Sequence, residues 1–281
     1  MAAVLLALGS SLSFGIADFF GGVVTRRHAV VVVLLVSQTV GLAGIALVVL
    51  VRGDGPPDAV FVPLALAASV LGVVGLAALY RGLATGMMSV VAPIAATASC
   101  VAVVAGLVTG ETPTRLQNAG IALALGGVIL VSLARSEGEA RTRLAAGAGL
   151  GLVAAATFGA FLIFFDRAAT DDPYWATLVL RIGSVALLAT VALVVGPRPS
   201  RALGVATFLL LGAIGLLDVA GNALFAVAST KGAVGVVAVL TSLYPVVTVA
   251  LARFVLKERL QARQAVGVVC ALAGVALIAA G

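Results

Sequence analysis

Charge is what this chain has least of. Lys, Arg, Asp and Glu make up 10% of its 281 residues, against about a quarter in a soluble globular domain. So few charges cannot cover a surface in water, so lipid must supply most of the solvent. Cysteine is scarce as well. Cys100 and Cys270 both fall inside apolar runs, where they read as small buried hydrophobes and not as a disulfide framework or a metal site. The one histidine, His28, lies in a connector, and no HExxH, GxGxxG or P-loop pattern occurs. No catalytic residue, cofactor or metal is therefore expected. The net charge of +6 is scattered over short connectors rather than gathered in one stripe, so no nucleic-acid partner is expected.

What is present is hydrophobic length, with 62% of the residues hydrophobic. A helix needs about 20 apolar residues to cross a ~30 Å hydrocarbon core. Runs of that kind fall at 3–24, 30–51, 60–80, 87–108, 117–134, 146–166, 174–195, 203–227, 235–256 and 263–280. The breaks between them are polar or rich in Pro and Gly, such as "RGDGPPD", "GETPTR", "GPRPSR" and "KERLQAR". Barrel strands would be about half as long and would alternate apolar with polar. The expected fold class is thus an all-α integral membrane protein with ten transmembrane helices. The first run lacks a basic leader and is too long for a cleaved signal, so it reads as a retained span. Tyr174 and Trp175 open the seventh run as an interfacial aromatic anchor. Pairs such as Gly82/Gly86 and Gly147/Gly151 have the small-xxx-small spacing that lets helices approach closely.

The chain repeats itself. "ALYRGLATGMMSVVAPIAATAS" from Ala78 pairs with "ALFAVASTKGAVGVVAVLTSLYP" from Ala223. "SFGIADFF" from Ser13 pairs with "TFGAFLIFF" from Thr157, Glu111 aligns with Glu258, and Gly120 aligns with Gly267. The offset stays between 144 and 147 residues, which divides the chain into repeats at 1–137 and 144–281. Each repeat holds five spans. An odd number makes the second enter the membrane from the opposite face, an inverted-topology repeat typical of secondary transporters.

Five plus five spans, the "FG" of each first helix and a junction of the form G/K-E-x-x-x-x-x-Q after each fourth helix resemble the EamA-type family of the drug/metabolite transporter superfamily. The resemblance covers nearly the whole chain. It implies a multi-pass carrier in the cytoplasmic membrane that moves small metabolites or drugs by alternating access, commonly an exporter. It also implies a central cavity lined by helices 1, 3, 4, 6, 8 and 9, with helices 5 and 10 peripheral. The chain departs from a strict repeat at "LYP", Leu243–Pro245: the aligned position is Ala98 and the nearest proline is Pro93. The repeat therefore gives no ground for expecting both fourth helices to kink alike at Pro93 and Pro245. The rival from another class is a membrane-embedded structural or accessory subunit, which would show no substrate-dependent flux.

A charge at a span centre costs about 2.5–3.5 kcal/mol on insertion scales, so such groups face a cavity or a partner. The charged candidates are Asp18, Arg181 and Asp218, and Gln38, Tyr80, Asn222, Ser242 and Tyr244 add uncharged polarity. Asp218 and Asn222 are one helical turn apart and share a face. Two readings stay open for Asp218: a cavity-facing proton or cation site beside a substrate-binding Asn222, or an ion pair with Arg181 between neighbouring spans 7 and 8. Asp18 either snorkels toward Arg26 and Arg27 or lines the cavity. Tyr80 and Tyr244 suit either core packing or the grip of a small organic molecule. Pro245 removes a backbone donor at depth, which is tolerated only against protein or a water-filled cavity. Glu111 and Glu258 read as solvated ion pairs with Arg115 and Arg259.

Orientation divides the indications. Connectors after odd-numbered spans hold Arg26, Arg27, Arg81, Arg135, Arg141, Arg143, Arg198, Arg201, Lys257, Arg259 and Arg263, whereas those after even-numbered spans hold only Arg52, Arg115, Arg167 and Lys231. The positive-inside rule puts both termini outside; the family resemblance implies both inside.

Overall fold

A computed structural model describes residues 2–59, 61–98, 100–101, 114–132, 139–196, 203–231, 240–241 and 243–280. Its helices in chain order are α1 (Ala2–Thr25), α2 (Val30–Arg52), α3 (Phe61–Thr85), α4 (Met88–Ala96), α5 (Arg115–Ser132), α6 (Glu139–Ala168), α7 (Pro173–Val195), α8 (Val205–Lys231), α9 (Tyr244–Val255) and α10 (Ala262–Ala280). Among the described residues, six helices are long and apolar enough to cross a membrane: α1, α2, α3, the Leu144–Phe165 part of α6, α7 and the Val205–Phe225 part of α8. Shorter apolar stretches lie in α5, α9 and α10. Two of the expected spans are thus interrupted, with α4 ending at Ala96 and α9 beginning only at Tyr244.

Those two interruptions are built alike. After α4, the Thr97 amide donates to the Ile94 carbonyl at 3.1 Å and the Cys100 amide to Thr97 at 2.9 Å. Before α9, the Leu243 amide donates to Leu240 at 3.4 Å and the Val246 amide to Leu243 at 2.9 Å. Each is an i→i+3 tightening of the helix, and the two sets lie 146 residues apart in every member. The local causes differ. Pro245 sits in the first turn of α9, where its missing donor costs nothing. Thr97 instead turns its hydroxyl back to the Ile94 carbonyl at 2.7 Å. Pro93 lies inside α4, upstream of the turn. The fourth helices therefore do break alike, through different residues.

The packing shows the same pairing. The ring of Phe14 in α1 lies against Gly221 of α8, where an added Cβ would stand 2.8 Å from it; Phe158 of α6 meets Gly75 of α3 at 2.7 Å. A Cβ at Gly15 would stand 2.6 Å from the Tyr244 carbonyl oxygen, and one at Gly159 would stand 2.7 Å from that of Ala98. This explains the "FG" in each first helix: the phenylalanine fills a glycine notch, and the glycine admits the backbone beside the break. In α5 and α10, a Cβ at Gly127 would meet the Gly267 carbonyl at 2.5 Å, and one at Gly274 the Gly120 carbonyl at 2.6 Å. Every one of these contacts joins residues before 134 to residues after 145, and each has its counterpart at the repeat offset. A single large apolar cluster follows, with Phe19, Tyr80, Leu83, Val91, Leu188, Leu211 and Ile214 drawn from α1, α3, α4, α7 and α8.

At the end of the bundle where α2 finishes, Asp172 caps α7. Its carboxylate accepts from the amides of Tyr174 at 2.8 Å and Trp175 at 3.2 Å, and from Arg52 at 3.2 Å. The Arg52 guanidinium also stands 4.2 Å over the Tyr174 ring, and the Trp175 indole donates to the Asp54 carbonyl at 3.3 Å. The expected aromatic anchor is thus also the tie between two connectors. Burial pushes the Asp172 carboxyl up, but the Trp175 amide, Arg52 and the Tyr174 amide outweigh it and hold the group below its ordinary value.

Two predictions follow from this packing. Gly127→Val and Gly274→Val each destabilise the fold by about 1–3 kcal/mol through overpacking, while Gly126→Val, which meets nothing within 4 Å, does not; unfolding midpoints in detergent compare the three. A depressed folded-state pKa contributes stability above the unfolded value and loses it as pH falls through the folded one. The midpoint difference between wild type and Asp172→Ala, about 1 kcal/mol for a lost cap, should therefore be full at neutral pH and shrink below about pH 4. A difference that persists at acid pH would assign the effect to packing alone.

Candidate functional site

The charged groups of the apolar helices meet around one guanidinium. Arg181 of α7 donates through one terminal nitrogen to the Gln38 side chain of α2 and through the other to the Asp218 carboxylate of α8. The expectation that spans 7 and 8 are neighbours needs correction. α2 packs on both α7 and α8, which make no comparable contact with each other. Arg181 reaches Asp218 across the face of α2, and Gln38 completes the bridge. The close approach of α2 to α8 that permits this comes from Gly41 and Gly215, where a Cβ at Gly41 would stand 3.2 Å from the Gly215 carbonyl oxygen.

The pair is lopsided in its exposure. The Arg181 side chain is 7% exposed and that of Asp218 23%, so the carboxylate borders the accessible side while the guanidinium is set behind it. Arg181 Nε is buried with no hydrogen-bond partner among the described residues. Isolated burial of such a charge would be prohibitive, and the carboxylate opposite is what makes it tolerable.

Asp18 of α1 is half-buried and has Asp218 as its charged neighbour. The Tyr80 hydroxyl of α3 lies within electrostatic reach of Asp18, Asp218 and Arg181, and that of Tyr244 within reach of Asp18. Arg26 instead stands beside Glu258. Tyr80 is a core residue, 2% exposed, with its ring against Gly21 of α1. Tyr244 opens α9 just after the helix break and makes an edge-on contact with Phe14, the ring centroids 6.4 Å apart. Asn222 does not reach across the space. Its amide donates to the Asp218 backbone carbonyl at 2.8 Å, along its own helix. Ser242 lies outside the described residues.

A second polar constellation was not foreseen. Glu258, just after α9, does not pair with Arg259. Its carboxylate accepts from the amides of Met88 at 3.1 Å and Ser89 at 3.0 Å and from the Ser89 hydroxyl at 2.9 Å. Arg26 stands 3.7 Å away. The N-terminus of α4 has no cap of its own, since Met87 makes no side-chain capping bond, so a residue from the other repeat supplies one. Glu111, aligned with Glu258, lies outside the described residues. The sequence signal was the acidic residue at an equivalent place in both repeats; its partner, Ser89, is an ordinary serine in the sequence.

Among the described residues, no group of His, Cys, Asp or Glu could hold a metal ion. The arrangement places two carboxylates, Asp18 and Asp218, and the Arg181 guanidinium among helices from both repeats.

Comparison with known proteins bears on that setting. The model of the EamA-like transporter family matches residues 1–133 and again 145–280. No curated protein matches the chain. A solved crystal structure, described only as "Crystal structure of protein", superposes with a TM-score of 0.63 over 98% of this chain and 95% of its own, at 16% identity, which shows likeness of fold alone.

Removing one member of a buried pair strands the other. Arg181→Ala or Asp218→Ala should therefore each cost about 3 kcal/mol or more, whereas Arg181→Met combined with Asp218→Leu returns most of that loss. Denaturation of the four proteins in detergent measures it; additive losses in the double variant would show that the two side chains do not act as a pair.

Proposed function

The chain belongs to the EamA-like transporter family, and we propose that it is a secondary carrier that moves a small metabolite or drug-like molecule across the cytoplasmic membrane by alternating access, as an exporter driven by a proton gradient. The family is one of membrane transporters, which fits a multi-pass carrier; substrate, direction and coupling are the proposal. The observation that carries it is the cluster of Asp18, Gln38, Arg181 and Asp218, charged and hydrogen-bonding groups held within apolar helices of both repeats. Ionisable groups at such depth are costly and belong to ion or substrate paths more than to scaffolding.

In this reading residues 1–137 and 144–281 are inverted repeats that rock against each other. The family match in two segments and the reciprocal glycine contacts both support that division. The substrate binds beside Asp218, Asp18 and Tyr244, and Tyr80 supplies a hydroxyl from the wall. Asp218 is the proton carrier and Arg181 its resting partner. Asn222, bonded to its own helix, shapes the wall beside Asp218.

The test begins with a thermal-shift screen of purified protein against amino acids, nucleobases and cationic drugs, since a ligand of the native state raises its stability. A binding solute is then followed into proteoliposomes across a pH series. Asp218→Asn should abolish gradient-driven uptake yet retain solute exchange. Identical pH dependence in wild type and variant would remove Asp218 from the mechanism. The absence of flux for every solute that binds would favour an accessory subunit instead.

A further inference from the structure

We infer that Glu258 is the clasp of a gate formed by the half-helices α4 and α9, holding the bundle shut at the end where α1 finishes. The inference rests on the carrier reading above and adds a moving part to it. α4 runs for nine residues from Met88 to the turn at Thr97, and α9 runs for twelve from the turn at Leu243 to Val255. Each is therefore a short rod with a tightened turn at its inner end, roughly 13–18 Å from its outer end at 1.5 Å per residue. The two outer ends meet, and the Glu258 carboxylate joins them through the Met88 amide, the Ser89 amide and the Ser89 hydroxyl.

The geometry around Glu258 aims it. Lys257 is the one described non-glycine residue with positive φ, at 56°, in the left-handed region that a lysine adopts only at a cost. That turn reverses the chain after α9: the Glu258 amide donates back to the Ala252 carbonyl at 3.2 Å. Arg253 then donates to the Glu258 carbonyl at 3.1 Å. With its backbone fixed at both sides, the side chain, only 12% exposed, is directed at the uncapped N-terminus of α4. Beneath it Met87, Val90 and Ile94 of the α4 region pack with Leu260 and Val268, so opening would part an apolar contact as well.

Two features distinguish a clasp from a permanent staple. First, α5 and α10 meet in close backbone approaches at Gly120, Gly127 and Gly274, with nothing to replace them when parted. The clasp instead consists of hydrogen bonds at helix ends: Met88 and Ser89 are buried beneath Glu258, but Arg26 beside it is 35% exposed, so water admitted as the ends part can take over each bond. The closed form is then favoured without the open one being forbidden, the balance that a two-state element requires. Second, the clasp bridges the repeats, while the turns at Thr97 and Leu243 supply bending points of matched construction.

The test labels Thr85 and Arg263, both exposed and flanking the clasp on opposite repeats. After replacement of Cys100 and Cys270 by alanine, spin labels on Thr85→Cys and Arg263→Cys report their separation by pulsed dipolar spectroscopy in nanodiscs. The parent protein should give a short distance. Glu258→Ala should add a longer one, with the closed-to-open ratio falling at least about tenfold, as loss of charge-assisted bonds implies. Ser89→Ala, which removes one acceptance and keeps the carboxylate, should lower it a few-fold. If Glu258→Ala does not fold, Ser89→Ala decides alone. Superimposable distances in the folded variants would overturn the clasp. Solute flux measured on the same preparations separates the two readings: unchanged distances with intact flux sink the clasp and leave the carrier standing.

Discussion

In lipid, an apolar helix gains nothing by turning its apolar side chains away from its solvent, and the rest of this structure depends on that constraint. Association has to come from van der Waals contact between closely approaching backbones and from the few hydrogen bonds available. The glycines of this chain stand where that requirement is most acute. Gly127 and Gly274 bring α5 and α10 within backbone contact, and Gly75 and Gly221 accept a phenylalanine ring from the other repeat. Every one of these contacts crosses between the repeats, so the two are packed as one body. The large apolar cluster draws on helices of both, as expected if the packing evolved between two copies and not within one.

Against this paired packing the polar cluster stands out by having no counterpart. At the repeat offset Asp18 corresponds to Leu162, Arg181 to Leu35 and Asp218 to Gly72, while Tyr244 corresponds to Ala98. The phenylalanine and glycine contacts described above are duplicated; the charged groups of this cluster are not. Stability constrains both copies equally, because each glycine notch must receive its partner. A site for a particular solute needs only one arrangement of charge, and a second set would add insertion cost of about 2.5–3.5 kcal/mol per charge without further use. The asymmetry therefore separates residues that make the fold from residues that specialise it.

Much of this was legible in the sequence because it depends on local composition. Runs of about twenty apolar residues fixed where most helices lie, and the near-constant offset related Phe14-Gly15 to Phe158-Gly159 and Gly120 to Gly267 before any contact was known. What could not be read was spatial order. Spans 7 and 8 are consecutive, and nothing in their composition shows that α2 lies between them or that Gln38 would join Arg181 to Asp218. The break before α9 carried a proline as its mark. The one after α4 depends on a threonine hydroxyl turned back onto its own helix, a choice that the identity of Thr97 alone does not dictate. Glu258 was misjudged for a related reason. Its sequence neighbour Arg259 offered a charge partner, but α4 offered two unpaired amides at a helix N-terminus, a stronger claim on a carboxylate than one exposed arginine.

The two polar constellations thus answer the same constraint in opposite ways. Arg181 is buried and its terminal nitrogens are taken up by Asp218 and Gln38, so any solute or proton that engages Asp218 must also disturb Arg181. Glu258 is 12% exposed at a helix end, with Met88 and Ser89 buried beneath it and the 35% exposed Arg26 beside it. Separating a pair deep among apolar helices is costly, whereas a contact at a helix end lies a short way from water. Between them lie the tightened turns at Thr97 and Leu243, which divide two helices into segments that need not move as one.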